Sequence, residues 1–212
     1  MRLWTTILTL VLLLPHAEAQ VDTATLSLHS LQVVPAATGA ALFGMGSLLT
    51  FNPSVNTYNV GVRDAVVNAN LPHIPVDDYL QYLTTATPVT LSLCGLKARH
   101  STYKMALLEG GSYLLGAGWL NALKYKMGVM RPDGSACNSF PSGHTFVAFT
   151  GAEILRREYG KDYPWIAAAG YTVAALVGAL RIYNNRHWAG DVLAGAGLGV
   201  LSVTLTYWLF DN

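Results

Sequence analysis

Long apolar segments with at most one charged residue alternate with short polar ones through most of the chain. The apolar segments are residues 80–96, 105–123, 145–155, 163–180 and 192–210. The last two hold no charged residue over 18 and 19 positions, and about 20 apolar residues suffice for a helix to cross a bilayer. Both are rich in Gly and Ala, as in helices that pack closely within lipid. This pattern predicts an all-α bundle of mostly membrane-spanning helices.

A sixth apolar segment, residues 31–51, is uncharged but contains Pro35 and three glycines, residue types that disfavour helices in water. The bundle is therefore expected to have five to six helices. We hypothesise that the proline and glycines make this segment a re-entrant or surface-packed helix that does not cross fully. Residues 52–78 are rich in turn-forming residues and are expected to form a loop.

The N-terminal segment has the features of an export signal. Arg2 supplies a positive start, residues 7–14 are apolar, and residues 17–19 have the small-x-small form of a cleavage site. The apolar stretch is too short to cross a bilayer. We therefore predict a signal peptide at residues 1–19 and a single domain at 20–212, with an uncleaved anchor as the alternative.

Composition excludes two broad classes of protein. Hydrophobic residues make up 52% of the chain and charged residues only 12%, about half of the usual share in soluble domains. Intrinsic disorder requires the opposite balance. The net charge of +1 offers no basic face for nucleic acid, so no nucleic-acid partner is expected.

Three polar stretches hold residue types that an apolar bundle does not need. They are Lys-x6-Arg-Pro at residues 124–132, Pro-Ser-Gly-His at 141–144, and Arg-x5-His-x3-Asp at 181–191. Each stretch follows or opens an apolar helix. With short turns on the other side, all three would lie at one end of the bundle, which we expect to be the active site.

The residue types in these stretches suit phosphate chemistry. His187 and Asp191 are four residues apart, so a helical turn would stack them, and a carboxylate on one ring nitrogen leaves the other free to attack. Ser142 can cap a helix whose first amides, at Gly143 and His144, would bind an anion. The alternatives are a His–Asp pair that only stabilises a helix start and an ordinary Ser-capped helix.

Three basic side chains, Lys124, Arg131 and Arg181, accompany these groups. Fixed positive charge stabilises the equatorial oxygens of a transferring phosphoryl group, and arginine grips two oxygens at once. The alternative is that these side chains hold helix ends at the membrane surface.

In order and spacing, the three stretches resemble the signature of the type 2 phosphatidic acid phosphatase superfamily. With flanking helices the resemblance covers residues 105–210. One position departs from the pattern, because Leu180 stands where the family often has serine.

The resemblance implies a role for each motif residue. His187 would be the nucleophile that forms a phosphohistidine, Asp191 would orient it, and His144 would be the general acid and then the base. The groups that would hold the phosphate are Lys124, Arg131, Ser142, Gly143 and Arg181. The resemblance implies no cofactor and no metal.

The function predicted from this resemblance is a membrane phosphatase that hydrolyses a lipid phosphate monoester or diphosphate. A soluble, secreted non-specific acid phosphatase is the main alternative, since such proteins share the three motifs and an export signal. A vanadium haloperoxidase and an inactive membrane scaffold are further alternatives.

Basic residues predict the orientation of the bundle. They cluster between helices on the side away from the motifs, at Lys97, Arg99, Lys104, Arg156, Arg157 and Lys161. Because such residues favour the cytoplasmic side, the site is expected to face the periplasm from a bacterial inner membrane. A cleaved signal conflicts with this orientation if residues 31–51 cross fully. Cys94 and Cys137 are expected at opposite faces, too far apart for a disulfide.

Overall fold

The computed structural model describes residues 30–211, which form helices and turns and contain no strand. The helices are α1 Ser30–Phe51, α2 Pro53–Asn68, α3 Asp77–Leu93, α4 Thr102–Met127, α5 Gly143–Tyr159, α6 Pro164–Tyr183 and α7 Ala189–Phe210. The prediction of an all-α bundle is confirmed. The predicted signal peptide lies outside the described residues.

Helix α5 lies at the centre of the bundle and packs against α3, α6 and α7. Its contact with α6 is made by small side chains, and Ala148 and Ala152 are fully buried against Ala174 and Val177. Gly151 lies so close to α3 that a methyl group there would come within 2.5 Å of the backbone of Thr84. Small residues therefore set the close spacing of these helices.

Helix α1 packs along α7 through glycines on both helices. A methyl group on Gly46 would lie 2.4 Å from the backbone nitrogen of Ala194, and one on Gly197 would lie 2.4 Å from that of Phe43. The helix continues unbroken through Pro35 for 22 residues, or about 33 Å. The helix is therefore continuous, and its glycines form a contact surface against α7. The hypothesis that this segment does not cross the membrane fully stays a prediction.

The prediction of a loop at residues 52–78 is also wrong, since α2 occupies much of this segment. The side chain of Asn52 caps the helix by accepting a hydrogen bond from the Ser54 amide at 3.0 Å, and Pro53 occupies the first turn. Asparagine followed by proline is typical of turns, but the same pair also starts helices. The buried Asn59 then fixes α2 to α7 by accepting a hydrogen bond from the Gly190 amide at 2.9 Å.

The bundle has two polar ends. At the first, called the site end, helices α1, α4 and α6 finish and α3, α5 and α7 begin. At the opposite far end, Asp211 pairs with Arg99 at 2.8 Å and with Lys104 at 3.0 Å, and His100 pairs with Glu158 at 2.8 Å. These ion pairs join the start of α4 and the residues just before it to the ends of α5 and α7.

The two cysteines lie at different ends of the bundle. Cys94 follows α3 at the far end, whereas Cys137 lies in the loop before α5 at the site end. Both side chains are exposed, and their thiols are free of any disulfide in the part of the chain that the structure describes. Each polar end therefore carries one accessible thiol.

Three of the described helices are long and apolar enough to cross a membrane, over Val33–Phe51, Pro164–Tyr183 and Ala189–Phe210. Helices α3, α4 and α5 carry more polar side chains. Several of these are buried against neighbouring helices, for example Thr84, Glu109 and Glu153. The bundle therefore has an apolar outer surface and a partly polar interior.

Candidate active site

His187 lies in the turn between α6 and α7 and is only 2% exposed. Its Nδ1 is 3.5 Å from Oδ2 of Asp191, one helical turn further along. Asp191 is fully buried, and the same oxygen accepts a hydrogen bond from the Trp188 amide at 2.9 Å. The carboxylate therefore faces Nδ1 and leaves Nε2 as the ring atom available for attack.

Ser139 is a third member of this group that the sequence analysis missed. It is fully buried, and its Oγ donates a hydrogen bond to Oδ2 of Asp191 at 2.5 Å. The same Oγ lies 3.4 Å from Nδ1 of His187. No spacing pattern in the sequence indicates this contact, because Ser139 and Asp191 are 52 positions apart.

Burial keeps the His187 ring neutral. Loss of solvent lowers its pKa to about 4, although Asp191 acts in the opposite direction, and the positive charges of Arg181 and Lys124 lower the pKa further. At neutral pH the ring therefore carries a lone pair on one nitrogen, which is the protonation state that a nucleophile needs.

The Pro-Ser-Gly-His stretch opens α5 directly beside the start of α7. Ser142 is buried, and its backbone amide donates to the carbonyl of Asp191 at 3.0 Å. Ser142 occupies the cap position of α5, but its side chain does not cap the helix. Instead its Oγ accepts a hydrogen bond from Thr145 at 2.9 Å. The helix start at Gly143 therefore lies at the site without a serine hydroxyl covering it.

Two of the predicted phosphate-binding cations converge on one loop residue. Nζ of Lys124 donates to the carbonyl of Asn138 at 2.5 Å, and Nε of Arg131 donates to its side-chain oxygen at 2.9 Å. Burial lowers the pKa of Lys124 to about 8, and the neighbouring Arg131 and Arg181 add to this shift. Burial also lowers the pKa of Arg131, followed by the charge of Arg181. Cations placed this close favour a bound anion.

Arg181 comes from the end of α6 and is 4% exposed. Its Nη1 is 2.6 Å from Asp77 and 3.4 Å from Asp78, both at the start of α3. Asn184 holds Asp77 from the other side, with Nδ2 2.9 Å from the second carboxylate oxygen. Nε of Arg181 is buried and has no hydrogen-bond partner among the described residues. A buried N–H group without a partner costs free energy, so this group is available to donate a hydrogen bond to a ligand oxygen.

His144 points its Nε2 at Oδ1 of Asp78, at 2.9 Å. Burial lowers the pKa of His144, as does the charge of Arg181, while Asp78 and Asp77 oppose the shift. The ligand atoms of Asp77, Asp78 and His144 lie within 4.8 Å of one another, so by type these residues could hold a metal ion. Arg181 already bonds both carboxylates and supplies the positive charge that such an ion would bring.

The structure thus brings all of the predicted site residues to the site end. They are Lys124, Arg131, Ser142, Gly143, His144, Arg181, His187 and Asp191. It adds Asp77, Asp78, Ser139 and Asn184. The only sequence signal for any of these four is the pair of acidic residues that opens a helix at Asp77–Asp78.

Comparison with known proteins identifies the class to which this site belongs. A family model described as the PAP2 superfamily matches residues 106–212, which is half of the chain. The chain therefore belongs to the PAP2 superfamily, and the resemblance carried by the three polar stretches is confirmed.

The chain is also similar in sequence to individual curated phosphatases. The chain is 40% identical over 185 residues to a lipid A 1-phosphatase of Porphyromonas gingivalis, covering 86% of this chain and 38% of that protein. It is 41% identical over 61 residues to an undecaprenyl-diphosphatase of Sulfolobus acidocaldarius, covering 29% of this chain and 28% of that protein. The chain thus spans well under half the length of the curated relatives it matches.

Two solved structures share the fold. A PAP2-type phosphatidylglycerolphosphate phosphatase of Bacillus subtilis superimposes with a TM-score of 0.54 at 21% identity, over 84% of this chain and 96% of that one. LpxE of Aquifex aeolicus superimposes with a TM-score of 0.57 at 23% identity, over 71% of this chain and 95% of that one. At these identities the two likenesses show the shared fold. Within that fold, three of the described helices are long and apolar enough to cross a bilayer.

Proposed function

We propose that this chain is a phosphatase that hydrolyses a lipid phosphate monoester or diphosphate through a phosphohistidine on His187. The observation that carries the proposal is a buried imidazole held by Asp191 within electrostatic reach of Lys124 and Arg181. A neutral nucleophile next to several cations suits attack on a phosphorus atom surrounded by negative oxygens.

In the first step, Nε2 of His187 forms a bond to phosphorus while the bond from phosphorus to the lipid oxygen breaks. His144 gives its proton to the departing oxygen, so the lipid leaves as a neutral alcohol, or as a phosphate for a diphosphate substrate. Nδ1–H of His187 remains directed at Asp191, which stabilises the charge that develops on the ring. The free Nε–H of Arg181 and the first amides of α5 donate hydrogen bonds to the equatorial oxygens of the phosphoryl group.

In the second step, water takes the place of the departed lipid. His144, now neutral, removes a proton from the water, whose oxygen attacks phosphorus as the bond to His187 breaks. Inorganic phosphate leaves, and both histidines return to their starting protonation states. This scheme uses no metal ion or cofactor.

Two observations support a lipid-linked phosphate as the substrate class. The site lies at the end of a bundle with an apolar surface, where a lipid headgroup would be found. The relatives named above act on lipid A and undecaprenyl diphosphate. We propose lipid A, undecaprenyl diphosphate, phosphatidylglycerophosphate and phosphatidate as the candidates to be compared.

We further propose that the site end faces the periplasm of a bacterial inner membrane. The far end carries two clusters of basic residues, including Arg99 and Arg156, whereas three of the basic residues at the site end are already assigned to phosphate. Because α1 runs antiparallel to α7 and finishes at the site end, residue 33 would then be cytoplasmic. A signal peptide cleaved after residue 19 would reverse this orientation if α1 crosses fully, so the proposal holds for an N-terminal segment that is not cleaved.

The two native cysteines test the orientation without an added reporter. A membrane-impermeant maleimide applied to cells with a permeabilised outer membrane should label Cys137 and leave Cys94 unlabelled. Cys94→Ser and Cys137→Ser serve as matched single-thiol controls, and detergent should make both thiols reactive. Labelling of Cys94 alone in the same outer-membrane-permeabilised cells, before detergent is added, would contradict the proposed orientation.

The activity is tested by phosphate release from a panel of purified lipid phosphates, measured beside His187→Ala. We expect turnover of at least one lipid phosphate or diphosphate and no turnover by the variant. Absence of release from every lipid, or equal release by the variant, would refute the proposal.

A further inference from the structure

Asp78 lies at the start of α3, outside the three polar stretches that carry the predicted chemistry. Its Oδ1 is 2.9 Å from Nε2 of His144 and 3.4 Å from Nη1 of Arg181. The side chain of Asp78 is 53% exposed, so it borders the opening of the site. It therefore contacts a predicted general acid and a predicted phosphate ligand at the same time.

The neighbouring Asp77 has a different environment. Its side chain is 1% exposed, and both of its oxygens are engaged, one by Arg181 and the other by Asn184. Asn184 in turn holds the backbone of Ile74 through two hydrogen bonds. Asp77 therefore anchors Arg181 and the chain before α3, which leaves Asp78 as the carboxylate able to act on His144.

We propose that Asp78 is a positioning residue for His144, whose carboxylate orients the ring and favours the protonated form needed to protonate the leaving oxygen. This inference rests on the proposed function. It deepens that function by assigning the control of the general acid to a residue of α3.

The charges around His144 explain why a carboxylate is needed. The groups facing it are Asp77 and Asp78 on α3 and Arg181 on α6, and burial and Arg181 both lower its pKa. Further ionisable groups at this end include Lys124 and Lys126 on α4, Arg131 in the loop before α5, His187 in the turn before α7, and Asp191 on α7. Without Asp78 the opposition to burial and to Arg181 weakens, so the ring would lose its proton at lower pH.

Asp78→Asn is a specific probe because it leaves the pair between Asp77 and Arg181 intact. Asparagine keeps the size of the side chain and removes its charge. The anchor of α3 on α6 is therefore expected to survive, and thermal unfolding of the purified protein checks this. Asp64→Asn is the matched control, since Asp64 is an exposed carboxylate on α2 whose partner is the adjacent Arg63.

The experiment measures kcat and kcat/KM against pH with two substrates. One is the lipid phosphate found active in the panel, whose leaving alkoxide needs a proton, and the other is 4-nitrophenyl phosphate, whose leaving group does not. For Asp78→Asn we expect the alkaline limb of the pH–rate profile to move to lower pH. We also expect kcat on the lipid to fall about tenfold or more, which is part of the usual contribution of a general acid to the rate. The aryl phosphate should lose far less.

Two comparisons complete the test. Asp78→Glu should restore the alkaline limb, because it returns a carboxylate, and Asp64→Asn should match the wild type. The inference is overturned if Asp78→Asn keeps the wild-type limb and lipid kcat. It is also overturned if the variant binds substrate more tightly and turns over faster, since Asp78 would then compete with phosphate for Arg181. Both outcomes leave the contrast between wild type and His187→Ala intact, whereas failure of the proposed function removes that contrast.

Discussion

Replacing Ser139 with alanine tests the support that the structure places behind Asp191. In the wild type, Oδ2 of Asp191 accepts hydrogen bonds from Ser139 at 2.5 Å and from the Trp188 amide at 2.9 Å. Within residues 30–211, the buried Oδ1 has no hydrogen-bond partner. Alanine removes the shorter of the two bonds. The carboxylate would then keep the Trp188 amide and its contact with His187.

The size of the effect follows from the charge of the acceptor. A hydrogen bond to a charged group contributes about 1.5–3 kcal/mol, and each 1.4 kcal/mol corresponds to a factor of about 10 in rate. If the transition state feels the whole loss, kcat/KM falls about 10- to 100-fold. A carboxylate with fewer donors also holds the proton of His187 more tightly, so the pKa of His187 should rise from about 4.

The assay is kcat/KM against pH for Ser139→Ala beside Ser135→Ala. Ser135 lies in the same loop at an exposed position, and its hydroxyl donates a hydrogen bond to Asp133 away from Asp191, so its variant should behave as the wild type. Because His187 must be neutral to attack, a raised pKa moves the acidic limb to higher pH. An unchanged limb together with a rate within twofold of the wild type would refute the assigned role of Ser139.

The remaining predictions concern packing, phosphate binding and metal dependence. Gly46→Ala should destabilise the protein by about 1–3 kcal/mol, because its methyl group would meet the backbone of α7. Gly44→Ala, whose methyl group would have nothing within 4 Å, should be neutral or stabilising. Thermal unfolding in detergent measures both variants, and equal shifts in Tm would contradict the packing of α1 on α7. Arg181→Lys should keep the ion pair with Asp77 but lower kcat/KM about 100-fold, because lysine has no second donor in place of Nε. Near-wild-type kcat/KM would show that Nε of Arg181 does not contact the phosphate. EDTA should leave activity unchanged in the phosphate-release assay, and strong inhibition reversed by added metal would contradict the metal-independent scheme.

Much of the fold could be predicted because burial in lipid or in the bundle removes charge from long segments. The apolar segments 105–123 and 192–210 lie within α4 and α7. Helix α5 extends past its apolar segment because the buried Glu153 pairs with Arg157 one turn later, so charged residues continue the helix. Helix α2 could not be predicted, since Asn52–Pro53 is a signal shared by turns and helix starts.

The site could be predicted only as far as local spacing reaches. Four positions between His187 and Asp191 correspond to one helical turn, so the sequence itself relates the two. Asp77 and Arg181 are 104 positions apart and meet only because α3 and α6 begin and end at the same end of the bundle. Contacts of this kind depend on tertiary packing, and no single-sequence pattern encodes them.

The central claim is that a covalent phosphoryl group passes through His187. Wild-type protein is mixed with a substrate carrying radiolabelled phosphate and quenched within one turnover, and the labelled peptide is identified. The account predicts an acid-labile, alkali-stable phosphoramidate on His187 that is absent from His187→Ala. No protein-bound label during turnover, or label that persists in His187→Ala, would contradict it.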